Sequence, residues 1–154
     1  MPQPPDVQLD GLYGDRILEH YRNPRNRRPV DDPDLEAKEF NPFCGDRVAL
    51  HLKLGDDGRV DQTSANAEGC SIIQASASML SEVINGKSLE EIAGLATDFR
   101  TMMQGKEVSQ EVLDRLDSLE ALQVVRRYPV RIKCALLPLV ALEQGLEAYR
   151  KEKA

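Results

Sequence analysis

The strongest constraint on the fold is a regular alternation of residue types in the first half of the chain. From Arg47 to Leu54 every second residue is valine or leucine, and the residues between them are polar or small. Side chains of a β-strand point alternately to opposite faces, so this pattern predicts a strand with one buried face. The Gly-Asp-Asp-Gly sequence at 55–58 is typical of a turn, so residues 59–67 should return as the partner strand of a hairpin. Residues 36–41 are expected to form a further strand.

After Gly69 the hydrophobic period lengthens from two residues to about 3.6, which predicts helices. A capping box at Ser88-Leu-Glu-Glu begins one of them. Segment 119–125 has no clear pattern. Pro138 lies inside the last helix and cannot donate a hydrogen bond to the carbonyl of Cys134, so we expect a kink or a later helix start. The predicted helices cover about residues 10–21 (with Asp10 as N-cap), 70–84, 88–103, 109–117 and the region from 129 onward.

These elements indicate an α+β fold in which a small antiparallel sheet of about three strands is covered by helices. Residues 1–9 contain three prolines and are expected to form a disordered lead. Residues 10–154 are then a single domain, since a chain of this length forms one hydrophobic core.

The charge of the chain limits the partners that it can bind. The formal net charge is −6, which argues against nucleic acid and anionic membranes as ligands. No apolar run approaches the roughly 18 residues of a membrane span. The first residues lack the basic and apolar segments of a secretory signal, so we expect a cytoplasmic protein. Three cysteines in a reducing compartment do not indicate a disulfide framework.

Each cysteine occupies a distinctive local position. Cys44 and Asp46 flank a glycine between two predicted strands, Cys70 begins a helix, and Cys134 follows Arg131 and Lys133. Three thiolates and one carboxylate make a four-ligand set that suits zinc. Buried cysteines without a metal, with the aspartate capping a turn, explain the same spacing equally well because no Cys-x-x-Cys pair is present.

Three sequence motifs are more specific than the spacing of the cysteines. They are Asn-Pro-Phe-Cys-Gly-Asp at 41–46, Glu-Gly-Cys-Ser-Ile-Ile-Gln-Ala-Ser at 68–76 and Arg-Ile-Lys-Cys-Ala at 131–135. In this order and with these flanks, the chain resembles the SufU branch of the IscU/NifU-like iron–sulfur cluster assembly proteins. The resemblance extends from Leu12 to about Tyr149.

Three departures from the IscU type favour the SufU branch. IscU-type scaffolds carry a histidine directly before the third cysteine, where this chain has Lys133. Their Leu-Pro-Pro-Val-Lys motif, which a chaperone recognises, is absent here. The segment between Cys70 and Cys134 is also long for a scaffold, and residues of about 95–120 resemble the SufU insertion.

The resemblance implies that Cys44, Asp46, Cys70 and Cys134 bind zinc. Cys44 would accept persulfide sulfur from a SufS-type cysteine desulfurase and pass it to downstream SUF cluster-assembly proteins. From their charge and their position beside Cys134, Arg131 and Lys133 are expected to give the site electrostatic support, with a solvated helix charge as the alternative for Arg131. Such a protein is a sulfurtransferase-type carrier, and whether it is an enzyme stays open. The alternative is a scaffold that holds a [2Fe–2S] cluster on the same residues. A zinc-stabilised interaction module and a redox switch are further alternatives.

Overall fold

The hairpin predicted from the alternating residues is present in the computed structural model, which describes residues 9, 11–41 and 45–153. The strands are β1 (Leu35–Asn41), β2 (Asp46–Leu54) and β3 (Val60–Glu68). They pair antiparallel in the order β1-β2-β3. Val48, Leu50 and Leu52 are buried, because the alternation puts them on the face that the helices cover. The three-stranded antiparallel sheet is therefore confirmed.

The helices follow the predicted pattern, with one correction in the last of them. Their bounds are α1 Gly11–Arg22, α2 Ser71–Ile84, α3 Leu89–Met103, α4 Gln110–Leu116 and α5 Pro129–Lys153. The capping box is formed, since the Ser88 side chain accepts from the Glu91 N–H and the Glu91 side chain accepts from the Ser88 N–H. The segment without a clear pattern lies in a 3-10 helix, Asp117–Arg127. The predicted N-cap Asp10 and residues 1–8 of the predicted lead lie outside the described residues. For Leu9, the last residue of that lead, the prediction of disorder is wrong, because its side chain is buried in the core.

Of the two outcomes expected at Pro138, the later helix start is wrong, because α5 begins at Pro129 and continues past the proline, and the kink stays a prediction. Pro138 is itself buried, so packing holds the turn despite the lost backbone hydrogen bond. Ser76 adds a contact there, since its hydroxyl donates to the carbonyl oxygen of Ala135 at 2.6 Å. This hydrogen bond joins α2 to the part of α5 that carries Cys134.

All the helices that touch the sheet lie on one side of it and enclose the core. Helix α2 packs on β3, α5 packs on β1 and β2, and α1 packs on α2. Twelve residues of α2 are buried, so this helix runs through the centre of the domain. No helix in the described part of the chain is long and apolar enough to cross a membrane.

A buried polar cluster in the middle of α2 fixes α1 and the following loop on this helix. The Ser78 hydroxyl lies 2.8 Å from His20 Nδ1 and accepts the Arg25 N–H at 2.9 Å. The Ser81 hydroxyl accepts from Asn26 Nδ2 at 2.9 Å and donates to the Ser78 carbonyl at 2.6 Å. We call these five residues the serine cluster. Its hydrogen bonds are made entirely within the protein.

Candidate metal centre

Three of the predicted ligands meet where the sheet, α2 and α5 come together. Asp46 is the first residue of β2, Cys70 is the N-cap of α2, and Cys134 lies in the second turn of α5. Their candidate ligand atoms all lie within 4.8 Å of one another. We call these three residues the thiol cluster. A single ion can bridge three side chains at this separation, because zinc–ligand bonds are about 2.0–2.3 Å long.

The carboxylate of Asp46 is buried, and only one of its two oxygens accepts a hydrogen bond from the described residues. The residue is 2% exposed, and its Oδ1 accepts the Cys70 N–H at 3.4 Å. Its Oδ2 has no hydrogen-bond partner among the described residues. A buried carboxylate oxygen without a partner is costly, so this atom fits the position of a metal ligand.

The two thiols differ in exposure and in proton affinity. Cys134 is buried, whereas Cys70 is half-buried. Interaction with the neighbouring Cys134 thiol lowers the pKa of Cys70, whereas interaction with Cys70 together with burial raises the pKa of Cys134. Arg131 Nη1 lies 3.9 Å from Cys134 Sγ and adds positive charge on that side.

The donor set fits zinc on chemical grounds. Thiolate sulfur and carboxylate oxygen both bind zinc, and three protein ligands leave one position of a tetrahedron. The predicted fourth ligand, Cys44, lies outside the described residues. Lys133, which we expected to support the site, is exposed. Cys134 does not begin its helix, since α5 starts five residues earlier, and it therefore gains nothing from the free N–H groups of the first turn.

Sequence reasoning missed the backbone around Gly69. This residue has φ +135° and lies directly against the Asp46 side chain. Its carbonyl oxygen accepts the side-chain amide of Gln74 at 2.9 Å. The glycine before Cys70 was the available signal, because a glycine at a site often marks a close approach of the backbone.

The fold and the thiol cluster together define a class of protein: a small α+β domain that brings cysteine and aspartate side chains from three elements to one point. The chain belongs to the NifU-like N-terminal domain family, whose model matches residues 12–154.

Individual relatives agree with this assignment. The chain is 43% identical to the zinc-dependent sulfurtransferase SufU of Bacillus subtilis (strain 168), over 92% of this chain and 93% of that protein. It is 33% identical to the iron–sulfur cluster assembly scaffold protein IscU of Streptococcus pyogenes serotype M1, over 91% of this chain and 86% of that protein. Among solved structures, the N-terminal part of a nitrogen-fixing NifU-like protein from Brucella abortus superimposes with a TM-score of 0.78 at 25% identity, covering 90% of this chain and 94% of that one.

Proposed function

We propose that this protein carries sulfur in iron–sulfur cluster assembly, with zinc held by Cys44, Asp46, Cys70 and Cys134. The observation that carries the proposal is the convergence of Asp46 and two cysteines from three different elements within 4.8 Å. The similarity to a zinc-dependent sulfurtransferase over nearly the whole chain supports the same conclusion. Zinc would supply one kind of chemistry here: it keeps thiols deprotonated at neutral pH.

The burial of the thiols favours Cys44 as the sulfur acceptor. Cys134 is 2% exposed and cannot meet a group on another protein. Cys70 is anchored at the start of α2 by the hydrogen bond from its N–H to Asp46. Cys44 lies in the short segment between β1 and β2, whose ends are joined by the Asn41–Asp46 pair. Of the three cysteines, Cys44 is therefore the one that these observations leave as the acceptor.

The transfer is a thiol–disulfide-type exchange that needs no external oxidant. The Cys44 thiolate attacks the terminal sulfur of a persulfide on a SufS-type cysteine desulfurase. A new sulfur–sulfur bond forms at Cys44, the bond to the desulfurase cysteine breaks, and that cysteine leaves as a thiolate. The chain then delivers the sulfur to downstream SUF assembly proteins.

The similarity to an IscU scaffold favours one other function, the assembly of a [2Fe–2S] cluster on the same side chains. Metal and acid-labile sulfide content of protein purified without oxygen separates the two. We expect about one zinc per chain in a colourless sample. Iron and sulfide in equal amounts in a brown sample would instead make the scaffold the better description.

Sulfur transfer itself is tested by mass spectrometry after incubation with a SufS-type desulfurase and cysteine. We expect one extra sulfur atom on Cys44 in the wild type and none on the Cys44→Ser variant, which keeps the other two cysteines. A persulfide on Cys134 with Cys44 unmodified would contradict the choice of acceptor. Absence of persulfide from every cysteine, in zinc-loaded protein with an active desulfurase, would contradict sulfur transfer.

A further inference from the structure

The backbone of Gly69 and the carboxylate of Asp46 are in unusually close contact. A Cβ atom at residue 69 would overlap Asp46 Oδ1 and would lie 2.9 Å from Cγ and 3.1 Å from Cα of the same residue. Carbon atoms of neighbouring side chains normally stay about 3.5–4.0 Å apart. The space that a side chain would occupy at residue 69 is therefore taken by the carboxylate.

We propose that Gly69 is a positioning residue for the metal site, because only a residue without Cβ lets the Asp46 carboxylate lie over the backbone at 69 and direct one oxygen to the metal. The inference rests on the proposed function, since it concerns the same zinc site. Gly69 touches neither metal nor sulfur and acts through Asp46.

Two contacts of the carboxylate explain why its position matters. Oδ1 accepts the N–H of Cys70, the residue next to Gly69, so the carboxylate is held by the chain segment over which it lies. Oδ2 is buried and has no hydrogen-bond partner among the described residues. With Oδ1 occupied by Cys70, Oδ2 is the oxygen left for a metal. A Cβ at 69 would push the carboxylate off Cys70 and move both oxygens.

The backbone conformation at residue 69 also favours glycine, and this effect can be measured separately from the contact with Asp46. Its φ of +135° is one that residues with side chains rarely adopt, so any substitution strains the chain. Gly58 offers a matched control, because its φ is +79° and a Cβ there would have no neighbour within 4 Å. Gly58→Ala therefore introduces backbone strain without the overlap.

The test measures zinc affinity by competition with a chelator, and the melting temperature of the metal-free protein, for six proteins. They are the wild type, Gly69→Ala, Asp46→Ala, the Gly69→Ala/Asp46→Ala double variant, Gly58→Ala and the Gly58→Ala/Asp46→Ala double variant. We expect Gly69→Ala to weaken zinc binding tenfold or more, because substitutions of residues that hold metal ligands in place lower metal affinity about 10–100-fold. In the Asp46→Ala background the same change should alter affinity less than threefold. Gly58→Ala should lower the melting temperature and leave zinc affinity unchanged in both backgrounds.

The outcomes distinguish this inference from the proposed function. If the wild type binds zinc and Asp46→Ala weakens binding, an unchanged affinity of Gly69→Ala overturns the inference alone. An equal loss in both backgrounds also overturns it, because the effect then does not pass through Asp46. A wild type that binds no zinc overturns both proposals. If Gly69→Ala does not fold, recovery of folding in its double variant with Asp46→Ala supports the contact, and failure of that double variant overturns it.

Discussion

Helix α2 carries two buried polar clusters that differ in how their polar atoms are satisfied. In the serine cluster, Ser78 and Ser81 exchange hydrogen bonds with α1 and the following loop. In the thiol cluster at the start of the same helix, one oxygen of Asp46 has no hydrogen-bond partner among the described residues, and the two sulfurs lie within 4.8 Å of each other. The first cluster is complete within the protein, whereas the second leaves a buried carboxylate oxygen for the metal of the proposed function. The difference separates polar groups that stabilise the fold from polar groups that suit a ligand site.

The largest effect should come from removing one ligand of the thiol cluster. We expect Cys134→Ser to weaken zinc binding by more than about a hundredfold, since even changes to outer residues of metal sites cost 10–100-fold. Ser78→Ala should leave zinc affinity unchanged. Chelator competition measures both. Equal losses of zinc affinity in the two variants would show that the clusters are coupled and would contradict the difference between them.

Metal removal should destabilise the protein through the thiol cluster alone. At free zinc a hundred times the Kd, binding adds about 2.7 kcal/mol to the free energy of unfolding. For a domain of this size, that corresponds to a melting temperature roughly 5–10 °C lower after chelation. Calorimetry with and without chelator measures the change. An unchanged melting curve after verified zinc loss would contradict the convergence of the ligands.

Ser78→Ala should lower stability by the same amount with and without metal. The change leaves the Arg25 N–H and His20 Nδ1 without their buried partner. We expect a loss of about 1–2 kcal/mol, or roughly 3–6 °C in melting temperature. Ser76→Ala is a second variant to compare with Ser78→Ala, because the Ser76 hydroxyl joins α2 to the helix that carries Cys134. A larger loss for Ser78→Ala in zinc-loaded than in metal-free protein would place the serine cluster within the metal site.

The smallest effect is a pH dependence that belongs to the serine cluster. Burial lowers the pKa of His20 from its ordinary value of 6.5, and Arg25 adds to this, while Glu82 opposes it. The unfolded chain therefore binds more protons than the folded one just below pH 6.5, and the free energy of unfolding falls as the pH drops through that range. His20→Gln should remove this slope.

The measurement compares metal-free Cys70→Ser protein with and without His20→Gln, because the Cys70 pKa is also lowered and its thiol would otherwise contribute. Denaturant unfolding from pH 8 to pH 5 gives the two slopes. Identical slopes would mean that another group, and not His20, controls the acid side of the stability curve.

Much of the fold could be predicted because its signals are local. The alternation in β2 and the capping box at Ser88 each depend on neighbours within a few residues, and both are present as predicted. The 3-10 helix Asp117–Arg127 had no such signal, since its buried residues are placed by the helices around it. The outcome at Pro138 likewise depends on packing, because a buried proline is held by neighbours that the local sequence does not identify.

The candidate site was predictable in its residue types and less so in its geometry. Spacing alone left metal binding and simple burial equally open, and the resemblance to a family led to Cys44, Asp46, Cys70 and Cys134 as a set, of which the last three lie together in the described residues. The contact of Gly69 with Asp46 joins residues far apart in the chain. The His20–Ser78 pair is separated even further, by 58 positions. No local pattern encodes such pairings, so only the folded chain reveals them.

The position of Cys134 on α5 also sets the order of events during synthesis. β2, β3 and the start of α2 are made first, so Asp46 and Cys70 can meet while Cys134 has not yet been added to the chain. Three ligands of the proposed site, Cys44, Asp46 and Cys70, are therefore made before the helix that carries the last one, and a nascent chain interrupted before α5 lacks Cys134. We expect the full ligand set only after α5 has packed on the sheet.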